Sequence, residues 1–303
     1  MTRPLTLELL QQRKEQGSMW GQRKDPWKLC LVLESGGQAG AILGGFVSAL
    51  EMLGYRDCFD GVVGCSAGAM TGAYFAAGQA AYGTMIYPEH NCDGRFLNIR
   101  RLLTTRPVMD LDYLVDETMG QTKPLDTAKL ENMNMPVLAV AARRDGKRRL
   151  LTLNGVKREV VLNNMKVSAR VPLWGSRKLR GHHLWDGTLV EPVPVASAVD
   201  MGATHVLVLS RRDVECSGLL DTWIEKIFYY PVLRQWAPDL HHVYRKRGQY
   251  IRYESGNAEV MVMALSKPRL AVATCKPALI WSEIRRAYRH AELVLTGYQG
   301  RVG

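Results

Sequence analysis

Ser66 stands between two glycines in Gly64-Cys65-Ser66-Ala67-Gly68, directly after the apolar run Gly61-Val62-Val63-Gly64. That spacing suits a nucleophile elbow: a strand before the serine, a helix after it, and small neighbours that let a strained turn lift the hydroxyl clear of the backbone. A serine at a helix entrance also serves simply as an N-cap, but the small-residue run AGAMTGAYFAAGQ that follows favours the nucleophile. An acyl-transfer serine further needs donors aimed at the developing oxyanion. Gly36 and Gly37, in ESGGQAG between a strand and a helix N-terminus, expose backbone N–H groups with no Cβ to obstruct a substrate. The same loop lacks the Gly-x-Gly-x-x-Gly register, and no Walker lysine-hydroxyl pair follows, which argues against a nucleotide loop.

The serine proton needs a base. His205, His241, His242 and His290 all stand downstream, as a Ser-Asp-His order requires. His205 opens a strand and His290 lies on an amphipathic helix, settings in which structural roles are commoner. The pairs His182-His183 and His241-His242 lack metal-ligand spacing, and no metal or cofactor is expected. Asp186, before a glycine in LWDGTLVEPVPV, is either part of a plain turn or a carboxylate left facing a pocket. The residues alone leave the base open.

The elements that position these groups read as α/β. Lys28 to Leu33 is a buried strand closed by the glycine turn, and Ile42, Leu43, Phe46, Ala49, Leu50 and Leu53 then recur at helical spacing. Parallel strands with crossover helices follow. Residues 83–134 predict short helices over the sheet, a candidate lid. Residues 135–142 restore a strand, and the Asp145-Gly146 turn leads to a hairpin edge. A helix is expected in VVLNNMKVSARVPLW and a strand over 204–209. Residues 219–249 read as helical apart from Pro231 and Pro238, with a strand in EVMVMALS and a last helix in SEIRRAYRHAELVLTGYQ. The organisation expected is an N-terminal extension over 1–27 and one catalytic domain over 28–303. Within it, 219–303 form a helical C-terminal part with one further strand.

Forty Lys plus Arg against 29 Asp plus Glu give a net charge of +11, which favours anionic partners. The basic clusters accompany no nucleic-acid fold signature, so no nucleic acid is expected; a phospholipid surface or an acidic carrier protein fits. The six cysteines form no Cys-x-x-Cys pair, as expected of reduced thiols, and Cys65 is expected to lie buried beneath the sheet. Charges interrupt the N-terminal stretch before an apolar core of signal-peptide length develops, and no run of 18 apolar residues occurs. The expected location is the cytoplasm, with peripheral contact to a membrane. The aromatic stretch 222–236 reads as a core-packed helix.

The three blocks ESGGQAG, GCSAG and WDGTLVEPVPVASAVDMGATHVLVLS, with NNMKVSARVPLW ahead of the third, resemble the patatin-like phospholipases, in particular the bacterial single-domain type, across roughly residues 28–270. The resemblance implies a three-layer α/β/α fold with a mostly parallel central sheet and a helical lid region. It also implies a Ser-Asp dyad of Ser66 and Asp186, with Gly36 and Gly37 as oxyanion donors and no histidine. Gln38, Arg170 and Trp174 become candidate pocket residues. Two departures stand out: Ser35 replaces the family's first glycine, and Ala39 replaces its basic residue. Arg170, where a small residue is usual, either supplies charge, narrows the pocket or is structural.

The function expected is a serine acyl hydrolase, a phospholipase A-like lipid esterase working through a covalent acyl-serine. The alternatives are an acyltransferase or cyclase using a thioester or carrier-bound acyl group, and a catalytically quiet binding protein with the same fold. The sequence does not indicate an oligomeric state.

Overall fold

Every residue of β1 (Leu29–Leu33) and β2 (Gly61–Cys65) is buried, as strands covered on both faces must be. Their alternation decides which layer each side chain joins. Leu29, Leu31, Leu33 and Val62 enter the larger core, while Cys30, Val32, Val63 and Cys65 enter a smaller one on the opposite face. The computed structural model describes residues 3–176, 182–212, 230–246 and 256–297.

Along the chain, α1 (Thr6–Glu15) precedes β1, and the glycine loop leads into α2 (Ala41–Met52). β2 feeds Ser66 and α3 (Ala67–Ala76). The expected short helices follow as α4 (Ala80–Thr84), α5 (Ile86–Glu89), a 3-10 turn over Ile99–Leu103, a π-helix over Tyr113–Thr122 and α6 (Thr127–Glu131). β3 (Val137–Arg143) and β4 (Arg148–Thr152) make the expected hairpin, with Gly146 in its turn at φ +77°. Then come α7 (Arg158–Ser168), β5 (Leu184–Asp186), α8 (Val195–Asp200), β6 (His205–Ser210), α9 (Tyr230–Trp236), α10 (Pro238–Lys246), β7 (Glu259–Ala264) and α11 (Pro277–Thr296). The seven-stranded sheet runs β4-β3-β2-β1-β6-β7, with β5 paired to β3 off this path; β4 and β5 pair antiparallel to β3 and all other neighbours are parallel. α2, α3 and α11 cover one face and α8 the other, giving three layers.

One break in the sheet prepares the site. β2 pairs with β3 as far as Cys65 opposite Val140, and there its chain leaves the sheet at Ser66. β5 runs antiparallel to β3, and its Asp186 stands opposite Ala141, the next position along. Since β4 holds the other edge of β3, β5 occupies the edge that β2 has just vacated. The two strand ends therefore meet head to head.

The prolines behave differently from expectation. The chain is helical through Pro231, and Pro238 opens α10. At a first helical position the missing N–H has no intrahelical partner to lose, so proline begins a helix there. Leu233 is fully buried, and Trp236 meets Trp185 edge-on at 4.8 Å, consistent with a packed role for this part of the aromatic stretch. Cys216, Arg177-Lys178-Arg180, and residues 219–229 and 247–249 lie outside the described residues.

Residues ahead of β1 are built into the core. Leu9 and Leu10 are buried, and the Arg13 guanidinium, 1% exposed, meets Asp60 at 2.6 Å and Asp25 at 2.7 Å. The Oδ2 atom of Asp60 also accepts from the backbone of Leu29 at 2.8 Å, tying α1 to the start of β1.

His205, fully buried, is held between Thr204 Oγ1 at 2.9 Å and the Pro4 carbonyl at 3.0 Å. Burial pushes its pKa below the ordinary histidine value, and nearby Arg3 adds to the effect. The unfolded chain then binds more protons than the folded one between that lowered value and about 6.5. Stability is thus complete above about pH 6.5 and falls as the solution is acidified through that window. Thermal melts from pH 8 to pH 5 should show this decline, and His205→Gln should flatten it. An identical pH slope in the variant would exclude His205 as its source.

Candidate active site

Ser66 is the one buried non-glycine residue of left-handed φ among the described residues: φ is +53° and ψ −120°. An L-residue held there costs about 1–3 kcal/mol, so the surroundings must enforce it. They do so by close approach. A Cβ on Gly68 would stand 2.4 Å from the Glu34 carbonyl oxygen, and one on Gly64 would stand 2.5 Å from the Ala69 backbone. Both glycines of the motif are therefore steric requirements of a helix that folds straight back over its strand. The Ser66 N–H donates to Ser168 Oγ at 3.0 Å, and that hydroxyl donates to the Val140 carbonyl at 2.7 Å.

The Ser66 hydroxyl donates to Asp186 Oδ2 at 2.8 Å. Asp186 is fully buried, and its Oδ1 accepts from the Thr188 N–H at 2.7 Å, which turns Oδ2 toward the serine. The Asp186 N–H donates to the Arg170 carbonyl at 3.0 Å. Ser168 and Arg170 thus hold the serine and the aspartate from one short segment at the end of α7. Neither contact is legible in the sequence; Ser168 lies within NNMKVSARVPLW, but nothing in that string marks its hydroxyl.

No histidine bonds the Ser66 hydroxyl, and all seven histidines are among the described residues. His205 lies at the start of β6, the far end of the sheet from Ser66, and His290 packs on Phe46 at the outer helix α11. His241 and His242 stand on α10. Burial, reinforced by the nearby Asp186 charge, pushes the Cys65 thiol well above its ordinary value, so it stays protonated.

Gly36 and Gly37 follow β1 at the same end of the sheet. The Gln38 N–H donates to the Val272 carbonyl at 3.0 Å and that of Ala39 to the Gly36 carbonyl at 3.0 Å, which leaves the two glycine N–H groups of this turn uncommitted among the described residues. Gly37 has φ +51°, and a Cβ on it would stand 2.8 Å from Val272 Cγ1. Ala39 is fully buried, yet a guanidinium does reach this loop from the end of β6. A Cβ on Gly36 would stand 2.5 Å from Arg211 Cδ, and Glu34 clamps Arg211 through Nη2 at 2.8 Å and the backbone N–H at 2.7 Å. Arg211 is far from the glycine loop in sequence and carries no motif signal.

A pocket with about 500 Å³ of atom-free space, part of it open to solvent, begins at Ser66, Gly37 and Ala67. Its walls are almost wholly apolar, with Met70, Ile86, Phe96, Met109, Leu114 and Met119 contributing. The three expected pocket residues do not line it. Gln38, 1% exposed, accepts from Asn91 Nδ2 at 2.8 Å and so braces a wall residue from behind. Trp174 supports Met109 through a 2.9 Å backbone bond, its ring packed into the neighbouring core. The half-buried Arg170 side chain reaches toward the Leu184 carbonyl at 3.5 Å, and burial lowers its pKa.

The family model for patatin-like phospholipases matches residues 31–199, more than half of the chain. The chain belongs to the patatin-like phospholipase family. Membership brings lipid acyl hydrolysis as the family's activity. The matched span contains the glycine loop, the serine and the aspartate. Among curated proteins, the chain is 24% identical over 264 residues to the uncharacterized protein YjjU of Escherichia coli strain K12, covering 82% of this chain and 71% of that one. Among solved structures, VipD from Legionella pneumophila matches with a TM-score of 0.51 at 12% identity, over 90% of this chain and 67% of that chain. At that identity the likeness is one of fold.

Proposed function

We propose that this protein is a serine hydrolase of lipid esters, with Ser66 as nucleophile and Asp186 as its general base. The observation that carries the reading is the 2.8 Å bond from Ser66 Oγ to a buried carboxylate at the head of an apolar pocket. In this reading the acyl chain occupies the pocket and the ester carbonyl lies over Ser66. Asp186 takes the serine proton as Oγ attacks, then gives it to the leaving alkoxide. The N–H groups of Gly36 and Gly37 receive the oxyanion. That of Ala67, at the first turn of α3, is a third donor of suitable placement. Water deprotonated by Asp186 then releases the acyl-serine.

Fluorophosphonate treatment followed by intact-mass measurement, paired with phospholipid turnover, tests this. One adduct and released fatty acid are expected. A folded protein that takes no adduct and hydrolyses no ester would overturn the reading, and acyl groups passed to an alcohol or amine in preference to water would make it a transferase.

A further inference from the structure

One wall of the pocket continues into an outward tip. The Asp110 N–H donates to the Phe96 carbonyl at 2.8 Å and the Asn98 N–H to the Val108 carbonyl at 2.9 Å, with Leu97 bridging Met109 antiparallel. On this two-rung base, Phe96 and Met109 line the pocket. Beyond it the chain closes through the 3-10 turn Ile99–Leu103, started by Asn98 Oδ1 accepting from the Arg100 N–H at 3.1 Å. Here the packing reverses: Leu103 is 94% exposed and Ile99 53%, with Arg100, Thr104, Thr105 and Arg106 exposed around them. Asp93 pairs with Arg95 at 2.7 Å and Asp110 with Arg101 at 3.8 Å, while the turn itself, residues 99–106, holds the exposed Arg100 and Arg106 and no acidic residue.

Single exposed aliphatic side chains are ordinary, and arginines alone are a solvated surface. The combination is more specific. Two aliphatic side chains on a short projecting turn, in an acid-free arginine stretch, match an interface with an apolar interior and anionic headgroups. No helix among the described residues is long and apolar enough to cross a membrane, so contact through this tip would be peripheral.

We propose that residues 99–106 are a membrane-docking tip that seats Ile99 and Leu103 at the acyl boundary of an anionic lipid surface. The base of the same hairpin then sets Phe96 and Met109 beside the leaflet from which an acyl chain is drawn. This choice of partner rests on the lipid-ester reading, but its test is separable.

Vesicle co-sedimentation would use phosphatidylcholine with and without phosphatidylglycerol. The wild type should bind the anionic vesicles more tightly and release them at high salt. Ile99→Asp with Leu103→Asp should weaken binding by about tenfold or more. Arg100→Glu should weaken binding to the anionic vesicles by about fivefold or more. Both variants should keep wild-type kcat/KM on a water-soluble p-nitrophenyl ester, where no surface is needed. Unchanged vesicle binding in the variants, or a wild type indifferent to anionic vesicles, overturns the proposal. The expected binding pattern in a protein that hydrolyses no ester would support the tip and overturn the hydrolase reading.

Discussion

Ser66→Ala is expected to lose turnover by on the order of 10⁴-fold or more and to take no fluorophosphonate adduct, while keeping the wild-type fold. The pocket begins at this hydroxyl, and the neighbouring thiol of Cys65 is buried and held protonated. The other hydroxyls lining the pocket have partners away from Asp186: Thr71 pairs with Tyr87 at 3.0 Å, and Tyr74 donates to the Lys123 carbonyl. The substitution removes one hydroxyl and its bond to Asp186, while the Thr188 N–H continues to hold the carboxylate. Alanine also inherits the positive φ that Gly64 and Gly68 impose, so the strain is unchanged and the elbow persists. Intact mass and kcat measured on one purified sample check both parts. An adduct of unchanged yield in the alanine variant would place the nucleophile elsewhere.

Asp186→Asn should slow both labelling and turnover by on the order of 10³-fold, the scale of a lost general base. The amide is nearly isosteric, and its oxygen can still accept from Thr188. What it lacks is the negative charge that makes Oδ2 a proton acceptor for Ser66. Its slow residual rate should persist, because the glycine donors and the pocket remain. Rates close to wild type would transfer the base role to another group, and single replacements of His205, His241, His242 and His290 would then be the next comparison. With Asp186 as base, those four variants keep the wild-type chemical step.

Much of this site is local and therefore legible in sequence. A strand, a tight turn of small residues and a helix are consecutive along the chain, so Gly64, Ser66 and Gly68 announce the elbow in one stretch. The same holds for β1, Gly36, Gly37 and α2, and for the hairpin of β3 and β4 around Gly146. The Asp186-Gly187 turn is local, but the base role of Asp186 is what the resemblance implies. Its position depends on β5 filling the edge of β3 that β2 vacates, a pairing between segments far apart in the chain.

Local pattern was less informative where a residue's direction mattered. Gln38, Arg170 and Trp174 have the chemistry of pocket residues, but side-chain direction places them behind the wall or beside the neighbouring core. Ser168 and Arg211 carry no local signal for the converse reason: their contacts with Ser66 and Gly36 join distant segments. The elbow and the glycine loop follow from the sequence alone, because each depends on neighbours within a few residues; α1 and β5, which lie in stretches expected to be an extension and a turn, do not. The tertiary structure sets Asp186 Oδ2 on the Ser66 hydroxyl, as the resemblance implies, and fixes which side chains line the pocket and where Arg211 lies. Those outcomes depend on strand register and on which face of each element is buried, and both are properties of the whole sheet.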